Sequence, residues 1–250
     1  MKNFSQTNFK SNFLKFSKPK VGLITLSTDF TIEKDFRIVC SHCDIDIYVN
    51  RIPFNNPLNH ENYIKMMKYL PEVANNILPG EKIDSIAYGC TSGTVAIGDQ
   101  SVIENIHKTK PNSYVSTPIT AAIKSFTKMG IKKISVLTPY PKDVNITIFD
   151  YLIKNEIEVT NFSSFNLEYD SQIAKVDPMH ILETIKKIDY QESDAIFVSC
   201  TALPILQILE QVEKETSKTI ISSNQALIWD IIRSVNISEN IYGFGKLFLN

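Results

Sequence analysis

The chain has 250 residues, a formal net charge of −1, 43% hydrophobic and 21% charged residues, the make-up of an ordinary soluble globular protein. That balance leaves no basic face for nucleic acid or an anionic membrane. No apolar run approaches the roughly 20 residues of a membrane-spanning helix, so a cytoplasmic protein of one large or two small domains is expected.

Residues 1–20 are rich in Asn, Ser, Phe and Lys, and the first acidic residue is Asp29. The stretch lacks arginine and the continuous apolar segment of a secretion signal, so it reads as a flexible arm. Beyond it, β-rich apolar runs alternate with helical patterns, which predicts an α/β fold with mainly parallel sheet. The predicted strands are Val21–Leu26, Asp46–Arg51, Ser85–Gly89, Ser113–Ser116, Lys133–Thr138, Glu158–Ser163, Ala195–Ser199 and Thr219–Ser222. Several are wholly apolar, as strands buried on both faces should be. Pro71 falls within a helical pattern from Asn62 to Leu78, which predicts a kink or split there. Thr117-Pro118 and Asp177-Pro178 each read as an N-cap followed by proline at the first helical position, and Gly130 closes the first of these helices.

The second half echoes the first. Val21–Thr25 resembles Ile134–Thr138, Asp84–Thr91 resembles Asp194–Thr201, and Val115–Pro118 resembles Ile221–Asn224, all in the same order. Two similar lobes related by a pseudo-twofold axis follow. Each lobe then sets a cysteine, Cys90 or Cys200, at the carboxyl end of a buried strand, where ligands of open α/β sheets bind. The turns after them, Thr91-Ser92-Gly93-Thr94 and Thr201-Ala202-Leu203-Pro204, are expected to open helices. A helix N-terminus seats a carboxylate and lowers a thiol pKa. Two thiols facing one carbon from opposite sides are what a racemase needs: one, as thiolate, takes the α-proton and the other returns a proton.

The remaining reactive side chains carry less. Cys40 and Cys43 form a CxxC with no second pair to complete a zinc site, and all four cysteines read as free thiols. His42, His60, His107 and His180 share no useful spacing and read as non-catalytic. Asp29 and Glu33 fit a solvated first helical turn, and Trp229 fits a core position.

Together, LSTDFTIEKDF from Leu26, YGCTSGT from Tyr88, TPITAA from Thr117, SVLTPYPKDVN from Ser135, FNLEYD from Phe165, SCTALP from Ser199 and SNQALIWD from Ser223 resemble the aspartate/glutamate racemase superfamily. The branch resembled holds maleate isomerase, arylmalonate decarboxylase and the racemase-like ectoine-utilization proteins. The resemblance implies a two-lobed enzyme without metal or other cofactor, a homodimer or higher homo-oligomer, with lobe 1 formed by 21–118 plus 224–250 and lobe 2 by 119–223. Sequence alone also allows a simple split near Gly130. Cys90 and Cys200 match the two family cysteines. Thr28, Tyr140 and Asn166 match substrate-contacting positions, and Thr91, Ser92 and Thr201 would help hold carboxylate oxygens. Thr28 stands where maleate isomerases carry Asn, which counts against maleate as substrate.

Three functions remain open. The first is racemisation of a small carboxylate, an amino acid or a derivative, by two-cysteine proton transfer. The second is maleate-type cis–trans isomerisation through a covalent cysteine adduct. The third is a carboxylate-binding module without catalysis. A decarboxylase fits less well, since that branch keeps one of the two cysteines.

Overall fold

The computed structural model describes residues 4–14, 17–41 and 43–250; His42 lies outside the described residues. In chain order the first half runs β1 (Lys20–Leu26), α1 (Ile32–Cys40), β2 (Asp46–Ile52), α2 (His60–Met67), α3 (Leu70–Asn75), β3 (Ser85–Gly89), α4 (Thr91–Ile97), α5 (Asp99–His107) and β4 (Tyr114–Ser116). The second half runs α6 (Pro118–Met129), β5 (Lys133–Thr138), α7 (Lys142–Lys154), β6 (Glu158–Ser164), α8 (Asp170–Ile173), α9 (Pro178–Ile185), β7 (Ala195–Val198), α10 (Leu209–Thr216), β8 (Thr219–Ser222) and α11 (Ser223–Ser234).

The strands form two four-stranded parallel sheets, ordered β2-β1-β3-β4 and β6-β5-β7-β8. The orders are the same once β5 to β8 are matched to β1 to β4, so the sequence repeat is a repeat of topology. β3 and β7 are buried along their whole length, which is why Ser85–Gly89 and Ala195–Val198 read as continuous apolar runs. The outer strands β2 and β6 are half-buried.

Local signals set the helix ends. Thr117 and Ser222 each cap the following helix with a reciprocal capping box, at Thr120 and Gln225. Gly130 takes a left-handed φ of 68° to end α6, and Pro71 marks the break between α2 and α3. Ten residues of α11, from Ser223 to Ile232, are buried. A surface helix shows one apolar stripe; α11 is enclosed on every side, between α6, α1 and strands β3 and β4 of the first sheet. Trp229 is therefore a core residue, its indole N–H donating to the Asn250 carbonyl at 3.3 Å. In the arm, Phe4, Phe9, Phe13 and Leu14 are exposed. Among the described residues no helix is long and apolar enough to cross a membrane.

Candidate active site

β3 and β7 deliver Cys90 and Cys200 to matching ends of the two sheets, both buried. The two turns meet directly: the Thr201 hydroxyl lies 3.5 Å from the Gly89 carbonyl. Thr91 Oγ1 donates to Ser223 Oγ at 2.9 Å, and the same Ser223 oxygen accepts the Cys200 N–H at 3.0 Å.

Cys90 caps α4, its Sγ accepting the Gly93 N–H at 3.2 Å. Only glycine fits at position 93, because a Cβ there would stand 2.7 Å from Cys90 Sγ and 3.1 Å from Met66 Cε. Cys200 departs from the symmetric expectation. No helix follows it; a turn runs into Pro204, and regular helix resumes only at α10. The residue itself has φ of 136°, a conformation disfavoured for any side chain with a Cβ. The Ala202 N–H reaches its Sγ at 3.4 Å, and the Tyr140 hydroxyl donates to it. Proline at 204 and the reversed φ at 200 prevent the helical turn that the first lobe makes.

The two thiols are not lowered toward neutrality as the sequence suggested. Burial pushes Cys90 up to about 12, with the Gly93 N–H opposing and the Asp170 carboxylate adding to the rise. Burial likewise raises Cys200, and Asp170 adds again, against the Tyr140 hydroxyl and the Ala202 N–H. One or two N–H groups cannot offset removal from water when the nearest charges are anions.

The other expected residues divide by what they touch. Tyr140 is buried and hydrogen-bonded to Cys200. Ser92 Oγ donates to Tyr63 Oη at 2.8 Å, Thr201 Oγ1 donates to Asp29 Oδ2 at 2.8 Å, and Thr28 Oγ1 donates to Asp170. The hydroxyls of Thr28, Thr91, Ser92 and Thr201 are thus engaged within the protein. The main-chain N–H groups of Thr91, Ser92 and Thr201 have no partner among the described residues. Asn166 forms no hydrogen bond to the cysteines or their turns among the described residues; its N–H donates to Ser164 Oγ at 3.1 Å. It is exposed, with a left-handed φ of 55°, and lines a separate cavity of about 410 Å³ with Ile146, Phe149 and Phe162.

Five residues with no assigned role from sequence belong here. Asp29 is buried rather than solvated: Oδ1 accepts the N–H groups of Thr31 and Ile32 at 2.7 and 2.9 Å, and Oδ2 holds Thr201. Asn224 donates to Asp35 Oδ2 at 2.7 Å and to the Thr201 carbonyl at 2.8 Å. Tyr63 backs Ser92, Ser223 joins the two turns, and Asp170 lies close enough to raise both thiols. Asp170 and Asn224 sit inside the FNLEYD and SNQALIWD segments; Tyr63 had no motif to mark it.

The family profile of arylmalonate decarboxylases matches residues 97–248. Maleate isomerase of Geobacillus stearothermophilus is 22% identical over 246 residues, covering 91% of this chain and 96% of that protein. Arylmalonate decarboxylase of Bordetella bronchiseptica is 25% identical over 136 residues, 53% of this chain and 57% of that protein. Among solved structures, a Nocardia farcinica maleate cis-trans isomerase mutant with a covalently bound succinylcysteine intermediate superposes with a TM-score of 0.86 at 16% identity, covering 93% of this chain and 98% of that one. The same two-sheet fold, and a profile match spanning more than half of the sequence, lead to one assignment: this chain belongs to the arylmalonate decarboxylase family, within the aspartate/glutamate racemase-like superfamily.

Proposed function

We propose that the protein is an isomerase that works on a small carboxylate with Cys90 and Cys200, moving a proton from one face of a carbon to the other. The observation that carries this reading is the pair itself. Two thiols stand at the ends of repeat-related strands, joined through Ser223 and flanked by unpaired N–H groups at Thr91, Ser92 and Thr201. Those donors would take the carboxylate and the charge that develops on it when the α-proton leaves. One thiolate accepts that proton, the other thiol donates its own to the opposite face, and the reverse reaction exchanges the roles. Cys90, with the Gly93 N–H of α4 on its sulfur, is the better placed to hold the anion.

The test follows loss of α-protons in D₂O by NMR across chiral carboxylates, amino acids and N-acyl amino acids, with Cys90→Ser and Cys200→Ser alongside. The expected result is exchange that vanishes or becomes one-sided in each variant. Exchange left intact in either one sinks the reading.

A second reading, cis–trans isomerisation of a dicarboxylate, is favoured by the maleate isomerases among the relatives. A thiolate would add to the double bond, rotation would follow, and elimination would restore the thiolate. It requires fumarate from maleate and a covalent adduct on one cysteine by intact mass; absence of both removes it.

A further inference from the structure

Cys40 and Cys43 play no part in the site described above, yet the fold holds them as a pair. Cys40 is the last residue of α1, and the chain then turns back on itself. The Ser41 N–H donates to the Arg37 carbonyl at 3.2 Å, and the Cys43 N–H donates to the Cys40 carbonyl at 2.9 Å. The second bond closes a four-residue turn from Cys40 to Cys43, whose end Cα atoms lie within about 7 Å of each other. A disulfide spans Cα atoms about 4.4–6.8 Å apart. The backbone therefore brings the two free thiols to the separation a bond between them requires.

The two sulfurs are unequal. Cys40 is 6% exposed and sits in the core, whereas Cys43 is half-buried. The hydrogen bond that the Cys40 thiol gives to Cys43, together with burial, holds Cys40 protonated. The same bond lowers the Cys43 thiol, against burial and with help from Arg233. Arg233 belongs to the last turn of α11 and is anchored there by the carbonyls of Ile237 and Phe248 at 2.7 and 3.4 Å. A more exposed, more acidic thiol backed by a buried one is the arrangement of an attacking and a resolving cysteine. Two sulfurs alone do not make a zinc site, and among the described residues no group of three or more His, Cys, Asp or Glu side chains is placed to hold a metal.

We propose that Cys40 and Cys43 form a redox-active dithiol that closes to an intrachain disulfide by exchange with a small-molecule disulfide. The Cys43 thiolate attacks one sulfur of the oxidant, forms a mixed disulfide and releases the first small thiolate, which takes up a proton. Cys40 then gives up its proton and attacks the Cys43 sulfur, expelling the second small thiolate and closing the turn. The chain loses two hydrogens and two electrons, and the oxidant gains them as two thiols. This chemistry needs neither Cys90 nor Cys200. Those thiols are buried and raised by that burial, so Cys43 meets an oxidant first. Cys40 stands at the C-terminal end of α1, where the helix dipole disfavours a thiolate. The dithiol thus lacks the stabilisation that makes a disulfide strongly oxidising, and the pair takes up oxidation and keeps it.

The experiment treats the reduced full chain with oxidised glutathione at neutral pH, quenches with N-ethylmaleimide in denaturant, and reads intact mass and mapped peptides. The expected result is loss of two hydrogens, with one peptide carrying Cys40 and Cys43 joined and with Cys90 and Cys200 still open to the maleimide. Cys40→Ala should stop at the mixed disulfide, with one glutathione on Cys43. Cys43→Ala should leave the Cys40 thiol unmodified, and a Cys90→Ser, Cys200→Ser double variant should close the bond as the wild type does. Thermal melting checks that each variant folds. A wild-type chain that keeps all four thiols overturns the proposal whether or not the variants fold. So does oxidation of Cys90 or Cys200 in place of the pair, glutathione on Cys40 in Cys43→Ala, or a double variant that fails to close the bond.

Discussion

The φ of 136° at Cys200 makes a quantitative prediction, because the fold supplies its own control. Cys90 is the repeat-related residue, equally buried, with an ordinary extended φ of −147°. Four variants separate backbone strain from everything else: Cys90→Ala, Cys90→Gly, Cys200→Ala and Cys200→Gly. Going from Ala to Gly at either site loses a buried methyl, worth about 0.8 kcal/mol, and loosens the unfolded chain by about 0.5–1 kcal/mol. Those losses are common to both sites and cancel in the difference. What survives is the cost of holding a Cβ at φ of 136°, about 1–3 kcal/mol. Urea unfolding of the four proteins at constant m should therefore show a Gly-for-Ala penalty at position 90 that is larger by that amount than at position 200. At this chain length each kcal/mol moves the melting temperature by about 2–4 °C. Penalties that agree within about 0.5 kcal/mol, the usual error of additivity, would refute the claim that Cys200 stores strain.

Gly93→Ala would push a methyl against the Cys90 sulfur; activity in the exchange assay should fall about 100-fold, as for a misplacement of about 1 Å. An unchanged rate would mean the α4 turn yields freely. Asp35 is buried and its carboxyl is raised to about 7, so the folded state holds its proton more tightly than the unfolded chain. Stability from this group is full below about pH 4 and is lost as pH rises through about 7. Asp35→Asn should flatten that decline in a pH series of unfolding curves; an unaltered slope would exclude Asp35 as its source. Among the cysteines, Cys43 is half-buried and lowered, chiefly by the hydrogen bond from the Cys40 thiol and also by Arg233. Iodoacetamide at pH 7 should therefore label Cys43 ahead of Cys90 and Cys200, read by peptide mass. The opposite order would mean the Cys90 and Cys200 thiols are ionised without a ligand.

The fold was legible because each half spells its strands in apolar residues and its helix ends in caps. Thr117, Gly130, Pro71 and Asp177 all act locally, and local signals survive into the structure. The positions of Cys90 and Cys200 were legible for the same reason, as strand ends in a repeat. The helix expected after Cys200 was not formed, since similarity of sequence could not reveal that φ reverses there. Asp29 looked like a solvated first-turn acid, and nothing local says that a threonine from the other half comes to rest on it. Tyr63 is the plainest case: a tyrosine on an unremarkable helix reaches the site only through tertiary packing. Asn166 lies in a matching segment, yet nothing in that segment foretold its left-handed backbone or its exposure.

Asp29 caps its own helix with one oxygen and holds Thr201 with the other; Thr31 donates to the Ala202 carbonyl at 2.8 Å. The turn that carries the second thiol is framed by the helix start of the first half. The two halves are therefore not interchangeable. A change at position 29 is felt at position 201, and a fragment ending near Gly130 would keep β1 to β4 and the Cys90 turn but lose Ser223, which ties that turn to Cys200. The two matching halves thus depend on each other at the turns that hold the two thiols.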